Sequence, residues 1–374
     1  MKTGHRILVL NERDPEHPRA GGAEIHVAEI FERLAARGHH VLWYASGFRQ
    51  ADRRVWRRGI EIERGGGLPA YYASVPARVR RARREGQLEL VVECLNKIPF
   101  YAPLYADRPV LALCHHLFGS AAFRQVAWPI AAAVLLSELG LARAYRDSLF
   151  VTISESSRDD LVRRGIPGDH IRVSHPGIIA PTLRADADGS RPCRIAYVGR
   201  LEAYKGIDVL LRAAAMLVPR FPELEVVVIG RGREASRLEQ LARELGLTER
   251  VRFTGFIEDA ARDALLAETR ACAFPSEKEG WGLSVIEANA LATPVVASDA
   301  PGLRDSIRHE ETGLLVAPRD VPGFAAALAR LLVEDAETLR MRRAALEWSS
   351  RFDWERAADE IETAMGLALA QERR

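Results

Sequence analysis

Two carboxylates, Glu279 and Glu287, flank a turn that contains Gly280 and Gly282. Glycine has no Cβ, so the backbone of such a turn can approach a ligand closely. The apolar run 283–292 predicts a helix whose first turn directs free N–H groups into the same loop, which suits a phosphate. Because Glu287 would repel a phosphate but can accept hydrogen bonds from a sugar diol, the stretch indicates a nucleotide-sugar site. The alternative is an ordinary strand-to-helix turn.

A second loop with anion-binding residues follows the strand predicted at 194–198. There Gly199 precedes Arg200, and Lys205 comes five residues after Arg200. A forked guanidinium and a compact ammonium offset the charge of a diphosphate and stabilise it as it becomes a leaving group. Further predicted strands of the same half end in residues that suit a flat base held by backbone contacts: Gly230, Phe256 and Ile257.

The first predicted strand, 7–10, leads into a loop rich in proline and charge. Gly21 and Gly22 then open a predicted helix, and Glu24 lies in its first turn. A strand, a glycine turn and a helix start together form the physical template for phosphate binding. A simple helix-start turn is the alternative for this pair of glycines.

Adjacent histidines, His115 and His116, follow the buried strand predicted at 110–114. Open α/β sheets place ligand-binding residues at the carboxyl ends of their strands. A histidine there can hydrogen-bond a reacting hydroxyl or a sugar oxygen. A loop histidine without a task is the alternative.

The composition is that of a soluble globular protein of two domains: 374 residues, 48% hydrophobic and 28% charged. The four cysteines are far apart, which argues against a zinc site or a disulfide framework and for a reducing compartment. No signal peptide is apparent, and no apolar run reaches the length of about 18 residues that a spanning helix needs. We therefore expect a cytoplasmic protein.

The near-neutral net charge of +2 conceals an asymmetry. Residues 1–185 carry 27 Lys and Arg against 19 Asp and Glu, whereas the remainder carries 26 against 32. The basic half could face an anionic acceptor or a membrane surface; uneven solvation of two faces is the alternative. No aromatic residues alternate with the arginines of 78–84, so nucleic-acid binding is not supported, and a solvated helix surface is the favoured interpretation of these arginines.

Strands and helices alternate twice along the chain, with a polar segment at 178–192 between the two series. This pattern predicts two doubly wound parallel-sheet domains, 1–184 and 185–354, and not a closed barrel. An amphipathic helix at about 355–374 is expected to return to the first domain. The apolar segment 117–145, interrupted by Pro129, predicts at least two helices that pack in a core or face a lipid acceptor.

With these motifs in place, the chain resembles the retaining glycosyltransferases of family 4, which have the GT-B fold of two Rossmann-like domains facing across a cleft. The resemblance covers nearly the whole chain. It is carried by five stretches: NERDPEHPRAGGAE at 11–24, VGRLEAYKG at 198–206, RFTGF at 252–256, EGWGLSVIE at 279–287 and PVVASDAPGLRD at 294–305.

The resemblance implies a role for each matched residue. Catalytic roles fall on His115, which would contact the transferred sugar, on Arg200 and Lys205 at the diphosphate, and on Glu279 at the sugar hydroxyls. Donor binding would use Gly21, Gly22, Gly199, Arg200, Lys205, Gly230, Phe256, Ile257, Glu279, Gly280, Trp281, Gly282, Leu283, Ser284 and, at the ribose diol, Glu287. The candidates on the acceptor side are Glu24 and His116, the latter at a position that is often acidic in relatives.

The activity implied is transfer of a hexose-type sugar from a UDP-, GDP- or other nucleotide-diphosphate sugar to an acceptor hydroxyl, with retention of configuration. The acceptor would be a glycan, a lipid-linked sugar or a small molecule. The resemblance implies no cofactor. Two cations at the diphosphate and the lack of a DxD-like motif predict that no metal is needed. Peripheral contact with the inner face of the membrane through the basic half stays open.

Two alternatives remain at this point. A nucleotide-sugar epimerase shares the two-domain architecture but would need a pair of acid–base groups, and no convincing pair is apparent. A regulatory protein that binds nucleotide sugars without catalysis would not need Arg200, Lys205, Glu279 and Glu287 together.

Overall fold

The structure, a computed structural model, describes residues 4–96, 98–115, 117, 128–183 and 185–371. The chain divides into two units: residues 1–177 with 354–374, and residues 178–353. The sequence predicts the first boundary at 184/185, whereas the structure places it at 177/178. The C-terminal helix belongs to the first unit.

The polar segment 178–192 belongs to the second unit and does not form a free linker. At its start, the Ile178 amide donates to the Phe352 carbonyl at 3.2 Å. Near its end, the buried guanidinium of Arg191 donates to the Thr269 carbonyl at 2.9 Å. A segment with few apolar residues is therefore held in place by hydrogen bonds, which its composition does not reveal.

The first unit is built on a sheet with the strand order β3-β4-β2-β1-β5-β6-β7-β8, in which only β3 and β4 pair antiparallel. Its strands are β1 (Arg6–Leu10), β2 (His40–Ala45), β3 (Arg54–Arg57), β4 (Ile60–Arg64), β5 (Leu90–Leu95), β6 (Val110–Cys114), β7 (Leu149–Thr152) and β8 (Ile171–Val173). Its helices are α1 (Gly22–Ala36), α2 (Leu68–Arg84), α3 (Trp128–Leu139), α4 (Leu141–Ala144), α5 (Glu155–Arg163) and, from the chain's end, α13 (Trp354–Gln371).

Both faces of this sheet are covered, which explains why its central strands are apolar throughout. One face packs against α1 and α13 through residues such as Phe31 and Trp354. The other packs against α2 through Tyr71 and Val79.

The second unit has a fully parallel sheet with the order β11-β10-β9-β12-β13-β14. Its strands are β9 (Arg194–Val198), β10 (Glu225–Ile229), β11 (Val251–Gly255), β12 (Ala271–Phe274), β13 (Val295–Ser298) and β14 (Gly313–Val316). Its helices are α6 (Ile207–Leu217), α7 (Ala235–Glu244), α8 (Asp259–Ala267), α9 (Leu283–Ala290), α10 (Leu303–Ser306), α11 (Val321–Leu331) and α12 (Ala336–Ser349).

Each sheet has one point where the strand order reverses. In the first unit the chain passes from β1 outward to β2 and later returns to add β5 on the other side of β1. In the second unit the same reversal lies between β9 and β12. Ligands of open α/β sheets bind outside the carboxyl ends of the strands at such switch points. The predicted class of two doubly wound parallel-sheet domains is confirmed.

Some local predictions were wrong. The arginine-rich segment at 53–58 contains strand β3, which pairs antiparallel with β4. No apolar run in the sequence predicts this strand. Arg78, predicted to be solvated, is buried and donates to Glu63 at 3.0 Å. Within the apolar segment 117–145 the described residues form two helices, α3, which contains Pro129, and α4; most of the part before Pro129 is not described, so the predicted break at Pro129 stays a prediction. Residues 118–127 lie outside the described part. No helix within that part has the length and apolarity to cross a membrane.

Candidate functional site

The predicted donor residues Lys205 and Glu279 meet at the switch point of the second unit. The Nζ atom of Lys205 lies 2.5 Å from Oε1 of Glu279. The two side chains are 14% and 20% exposed, so the pair is largely but not wholly removed from solvent. Lys205 ends the loop after β9, and Glu279 lies in the loop after β12. A cation and an anion are thus held together at the edge where a ligand is expected.

Backbone contacts fix these two loops against each other. The Glu277 amide donates to the Tyr204 carbonyl at 2.9 Å, and the Glu279 amide donates to the Pro301 carbonyl at 3.1 Å. Gly206 has φ of 67°, and a Cβ at this position would lie 2.3 Å from the Pro275 carbonyl oxygen. The close approach of the loops therefore requires glycine at 206.

Helix α9 begins at the predicted glycine turn. Gly282, with φ of 110°, is its N-cap and supplies no side-chain cap, so the first-turn amides of Leu283 and Ser284 have no intrahelical acceptor. Trp281 lies in the turn before α9, where the resemblance implies a donor-binding role for its backbone amide. Its side chain is 2% exposed and packs edge-on against Phe352, with ring centroids 5.2 Å apart. Only the backbone of Trp281 can contact a bound sugar donor, because its ring is buried in the core.

Glu287 lies on α9 and faces Arg262 of α8, with Oε1 and Nη1 3.9 Å apart. Burial raises the pKa of Glu287, while the positive charge of Arg262 opposes the rise and Asp263 and Asp259 add to it. Arg262 itself donates to Asp259 and Asp263 at 2.9 and 2.8 Å. Arg262 was missed by sequence reasoning, since it lies in a helix that no motif covers.

The proposed base side contains Gly230 and Phe256. A Cβ on Gly230, whose φ is 139°, would lie 1.9 Å from the Gly199 carbonyl oxygen, so the loops after β9 and β10 also touch. The Phe256 ring is 60% exposed, and the Arg231 guanidinium lies 5.8 Å from its centroid. Ile257 follows and is half-buried. An exposed ring with a cation beside it offers a flat surface for stacking.

Arg200 is exposed and lies in the loop after β9. Its Nη2 donates to the Tyr204 hydroxyl at 3.1 Å, and its carbonyl accepts a hydrogen bond from the Tyr197 hydroxyl at 2.9 Å. The backbone of Arg200 is therefore fixed, while its charge faces solvent.

In the first unit, Gly21 and Gly22 lie at the start of α1, with Gly21 as the N-cap. Glu24 is buried, and its Oε2 accepts a hydrogen bond from the Gly21 amide at 2.7 Å. This is the capping-box arrangement, in which a carboxylate satisfies an orphan donor of the helix start. The Glu24 carboxylate, predicted to lie on the acceptor side, therefore caps helix α1.

His115 follows β6 and is buried against His26 of α1. Its Nε2 lies 3.0 Å from Nδ1 of His26, and the two rings are nearly perpendicular. Burial, together with His115, holds the pKa of His26 well below its usual value. His26 is therefore neutral at physiological pH, and no motif in the sequence points to its part in the site. His116 lies outside the described residues.

Glu93 of β5 is fully buried and anchors the loop that follows that strand. Its Oε1 accepts from the Phe100 amide at 2.6 Å, its Oε2 from the Ala102 amide at 3.0 Å, and the Tyr145 hydroxyl donates to it as well. Burial raises the pKa of Glu93 to about 6, although these hydrogen bonds oppose the rise.

We expect Glu93 to make the protein less stable as pH rises. A raised folded-state pKa contributes stability fully below pH 4.5, the ordinary pKa of the carboxyl, and this contribution is lost as pH rises through about 6. The shift corresponds to about 2 kcal/mol. Urea unfolding at both ends of this range should show this loss in the wild type relative to Glu93→Gln, which does not titrate. The same pH dependence in both proteins would contradict the assignment.

The described candidates divide between the units: Gly21, Gly22, Glu24 and His115 lie in the first, and all the others in the second. The structure brings Lys205 to Glu279 and leaves Glu287 with Arg262. Among the described residues, no group of three or more His, Cys, Asp or Glu side chains is placed to hold a metal ion.

Two sequence models match the chain, Glycosyltransferase Family 4 over residues 20–180 and Glycosyl transferases group 1 over residues 187–348. The chain belongs to glycosyltransferase family 4. The first model covers the first unit from just before α1 to beyond β8 but not β1, and the second covers all six strands of the second sheet.

Among the relatives of this family 4 member is the D-inositol 3-phosphate glycosyltransferase of Corynebacterium aurimucosum, which is 34% identical over 244 residues. The match covers 60% of this chain and 58% of that protein, so the chain spans a little over half the length of this curated relative.

Two solved structures share the fold over nearly the whole chain. Sucrose-phosphate synthase from Thermosynechococcus elongatus has a TM-score of 0.78 at 24% identity, covering 96% of this chain and 98% of that one. Anabaena HepE in complex with UDP-glucose has a TM-score of 0.76 at 21% identity, covering 96% and 99%.

Proposed function

We propose that this family 4 member is a retaining, metal-independent glycosyltransferase that moves a hexose-type sugar from a nucleotide-diphosphate sugar to an acceptor hydroxyl. The observation that carries the proposal is the Lys205–Glu279 pair at the switch point of the second unit, 2.5 Å apart and only partly exposed. A nucleotide sugar offers both groups a replacement partner: a diphosphate for the ammonium and sugar hydroxyls for the carboxylate.

Donor binding then follows from the positions of the described groups. Lys205 and the solvent-facing Arg200 neutralise the diphosphate, and the free amides at the start of α9 donate to phosphate or sugar oxygens. Glu287 accepts hydrogen bonds from the ribose diol. The base lies near the exposed ring of Phe256. HepE, a structural neighbour, binds UDP-glucose, which makes a UDP-sugar the first donor to test.

The chemical step breaks the bond between the anomeric carbon and the diphosphate oxygen, with oxocarbenium character at the sugar. The electron pair of that bond goes to the diphosphate, where Arg200 and Lys205 stabilise the added negative charge. The acceptor hydroxyl attacks the anomeric carbon from the face that the diphosphate leaves, so configuration is retained. Its proton passes to a diphosphate oxygen. Two side-chain cations supply the charge that a divalent metal supplies elsewhere.

We assign the acceptor to the first unit. The Gly22 amide would stabilise the departing oxygen, and His115 would hydrogen-bond the sugar. Because His26 is neutral and directs one nitrogen at His115, it fixes the ring of His115 in one orientation without adding charge. The acceptor would be a glycan, a lipid-linked sugar or a small molecule, as the resemblance implies. The basic first half is the ground for proposing peripheral contact with a membrane. The composition of the chain is the ground for proposing a cytoplasmic location.

A thermal-shift screen with UDP-, GDP-, ADP- and TDP-sugars tests the proposal. A donor that binds only the folded protein stabilises it by about 2.7 kcal/mol at a hundredfold excess over its Kd, so one nucleotide series should raise the melting temperature clearly. The matching nucleoside diphosphate should be released in the presence of an acceptor, at the same rate with or without EDTA.

The free sugars serve as controls, since they lack the diphosphate on which Arg200 and Lys205 act. No shift with any of the nucleotide sugars would refute donor binding. Loss of turnover in EDTA that magnesium restores would refute the metal-independent mechanism.

A further inference from the structure

Two carboxamides meet at the switch point of the first unit. Asn11 directly follows β1, and Asn96 directly follows β5, the two strands between which the order reverses. The Nδ2 of Asn96 donates to Oδ1 of Asn11 at 2.8 Å. Asn11 is 0% exposed, and Asn96 is half-buried. The position corresponds to that of the Lys205–Glu279 pair in the second unit.

This single hydrogen bond leaves one donor and one acceptor unused. Nδ2 of Asn11 and Oδ1 of Asn96 are both buried and have no hydrogen-bond partner among the described residues. A buried polar group without a partner costs about 1–3 kcal/mol, so native structures rarely keep two of them side by side. If the oxygen and nitrogen of both side-chain amides are exchanged, Asn11 becomes the donor and Asn96 the acceptor. One N–H and one C=O then still remain unused.

The surrounding hydrogen bonds hold both residues rigidly. The Tyr71 hydroxyl donates to the Asn11 carbonyl at 2.8 Å. On the other side, the loop that carries Asn96 is fastened by the buried Glu93 and by the Tyr72 hydroxyl, which donates to the Ile98 carbonyl at 3.3 Å. The two carboxamides thus project from backbone that is held in place and are bonded to each other, an arrangement typical of a preorganised binding site.

We propose that Asn11 and Asn96 bind a hydroxyl group of an uncharged sugar or polyol, the acceptor of the reaction. The Asn11 amide donates to the hydroxyl oxygen, and the hydroxyl proton is donated to Oδ1 of Asn96. One hydroxyl satisfies both buried groups. This inference rests on the proposed function and specifies the acceptor class that the first unit recognises.

The charges near the pair favour an uncharged ligand over a phosphate. Arg13, in the loop that begins at Asn11, lies 3.2 Å from Glu12. Arg64 reaches the same loop and is bonded to the buried Asp14 at 2.7 Å. These two cations already have anionic partners within the loop. Lys97 lies outside the described residues, so phosphorylated ligands form a separate arm of the test.

The experiment is a binding titration by saturation-transfer NMR with the full chain and UDP present. The uncharged probes are methyl α-D-glucopyranoside, methyl α-D-mannopyranoside and myo-inositol, and the anionic probe is glucose 6-phosphate. We expect at least one uncharged probe to bind the wild type and to bind Asn96→Ala about tenfold more weakly, which corresponds to about 1.4 kcal/mol. Arg81→Ala, which removes an exposed ion pair with Glu85 in the same unit and is not part of the carboxamide pair, should bind the probe as the wild type does.

Three outcomes would overturn the inference: no uncharged probe binding to the wild type, equal affinity in the wild type and Asn96→Ala, or a preference for glucose 6-phosphate that Asn96→Ala retains. The UDP-induced thermal shift, measured on the same samples, must be the same in Asn96→Ala as in the wild type, which establishes that the variant is folded. If UDP and the UDP-, GDP-, ADP- and TDP-sugars give no shift while the uncharged probes behave as expected, the proposed function fails and the hydroxyl site stands.

Discussion

Replacing Lys205 by alanine will lower sugar transfer by about a hundredfold or more, since loss of one group that stabilises developing charge typically has this effect. The ammonium is removed from the diphosphate at the moment when the leaving group gains negative charge. The protein will remain folded but will melt somewhat lower, because Glu279 loses its partner while its side chain, 20% exposed, keeps some contact with water. Initial rates of nucleoside diphosphate release at saturating donor, together with a melting curve, measure both effects.

Arg330→Ala is the matched control for this variant. Arg330 lies in the same unit and is bonded to Glu310 and Glu337 at 2.7 and 2.6 Å, so its removal also breaks ion pairs, but on an exposed surface. Its turnover should equal that of the wild type. Turnover of Lys205→Ala within a few-fold of the control would show that Lys205 does not act on the diphosphate.

Glu287→Gln is expected to separate stability from donor binding. Burial raises the pKa of Glu287, so the ionised carboxylate destabilises the folded protein at neutral pH, and the isosteric neutral amide should melt at the same or a higher temperature. The same substitution removes a charged acceptor from the ribose diol, and the donor-induced thermal shift should fall or vanish. In the wild type that shift should shrink as pH falls toward the raised pKa. Melting curves with and without donor at several pH values test all three expectations.

Glu310→Gln is the control in the same unit, because the pKa of Glu310 is lowered whereas that of Glu287 is raised. Hydrogen bonding to Arg330 lowers the pKa of Glu310, so its neutral substitute should be slightly less stable at neutral pH and should keep the full donor shift. A donor shift in Glu287→Gln equal to that of the wild type would remove the ribose contact from the proposal.

Most strands of the two sheets, though not β3 and β8, follow from local signals in the sequence, and so does the edge at which a ligand binds. Apolar runs without alternation predict buried parallel strands, and glycines after them predict close loops. The helix that returns from the chain's end was also predicted, because its amphipathic pattern is long. These features depend on residues that are neighbours along the chain.

The pairings within the sites could not be predicted in the same way. Lys205 and Glu279 are 74 positions apart, Asn11 and Asn96 are 85 apart, and His26 and His115 are 89 apart. Each of these contacts depends on the order of the strands in a sheet. The periodicity of a single strand gives no information about that order. Residues between motifs, such as Asn96 and Arg262, gain a role only when the fold brings a partner to them.

The helix α13 completes the first unit only after the whole of the second unit has been synthesised. Trp354 and Ile361 of α13 are buried in the core beside α1, and Arg37, directly after α1, forms ion pairs with Glu355, Asp359 and Glu362. On the ribosome, residues 1–177 therefore emerge first but keep an apolar surface uncovered until residues 354–371 follow. The second unit, continuous from 178 to 353, has its full sequence earlier. The order of translation thus makes the N-terminal unit the last to close its core.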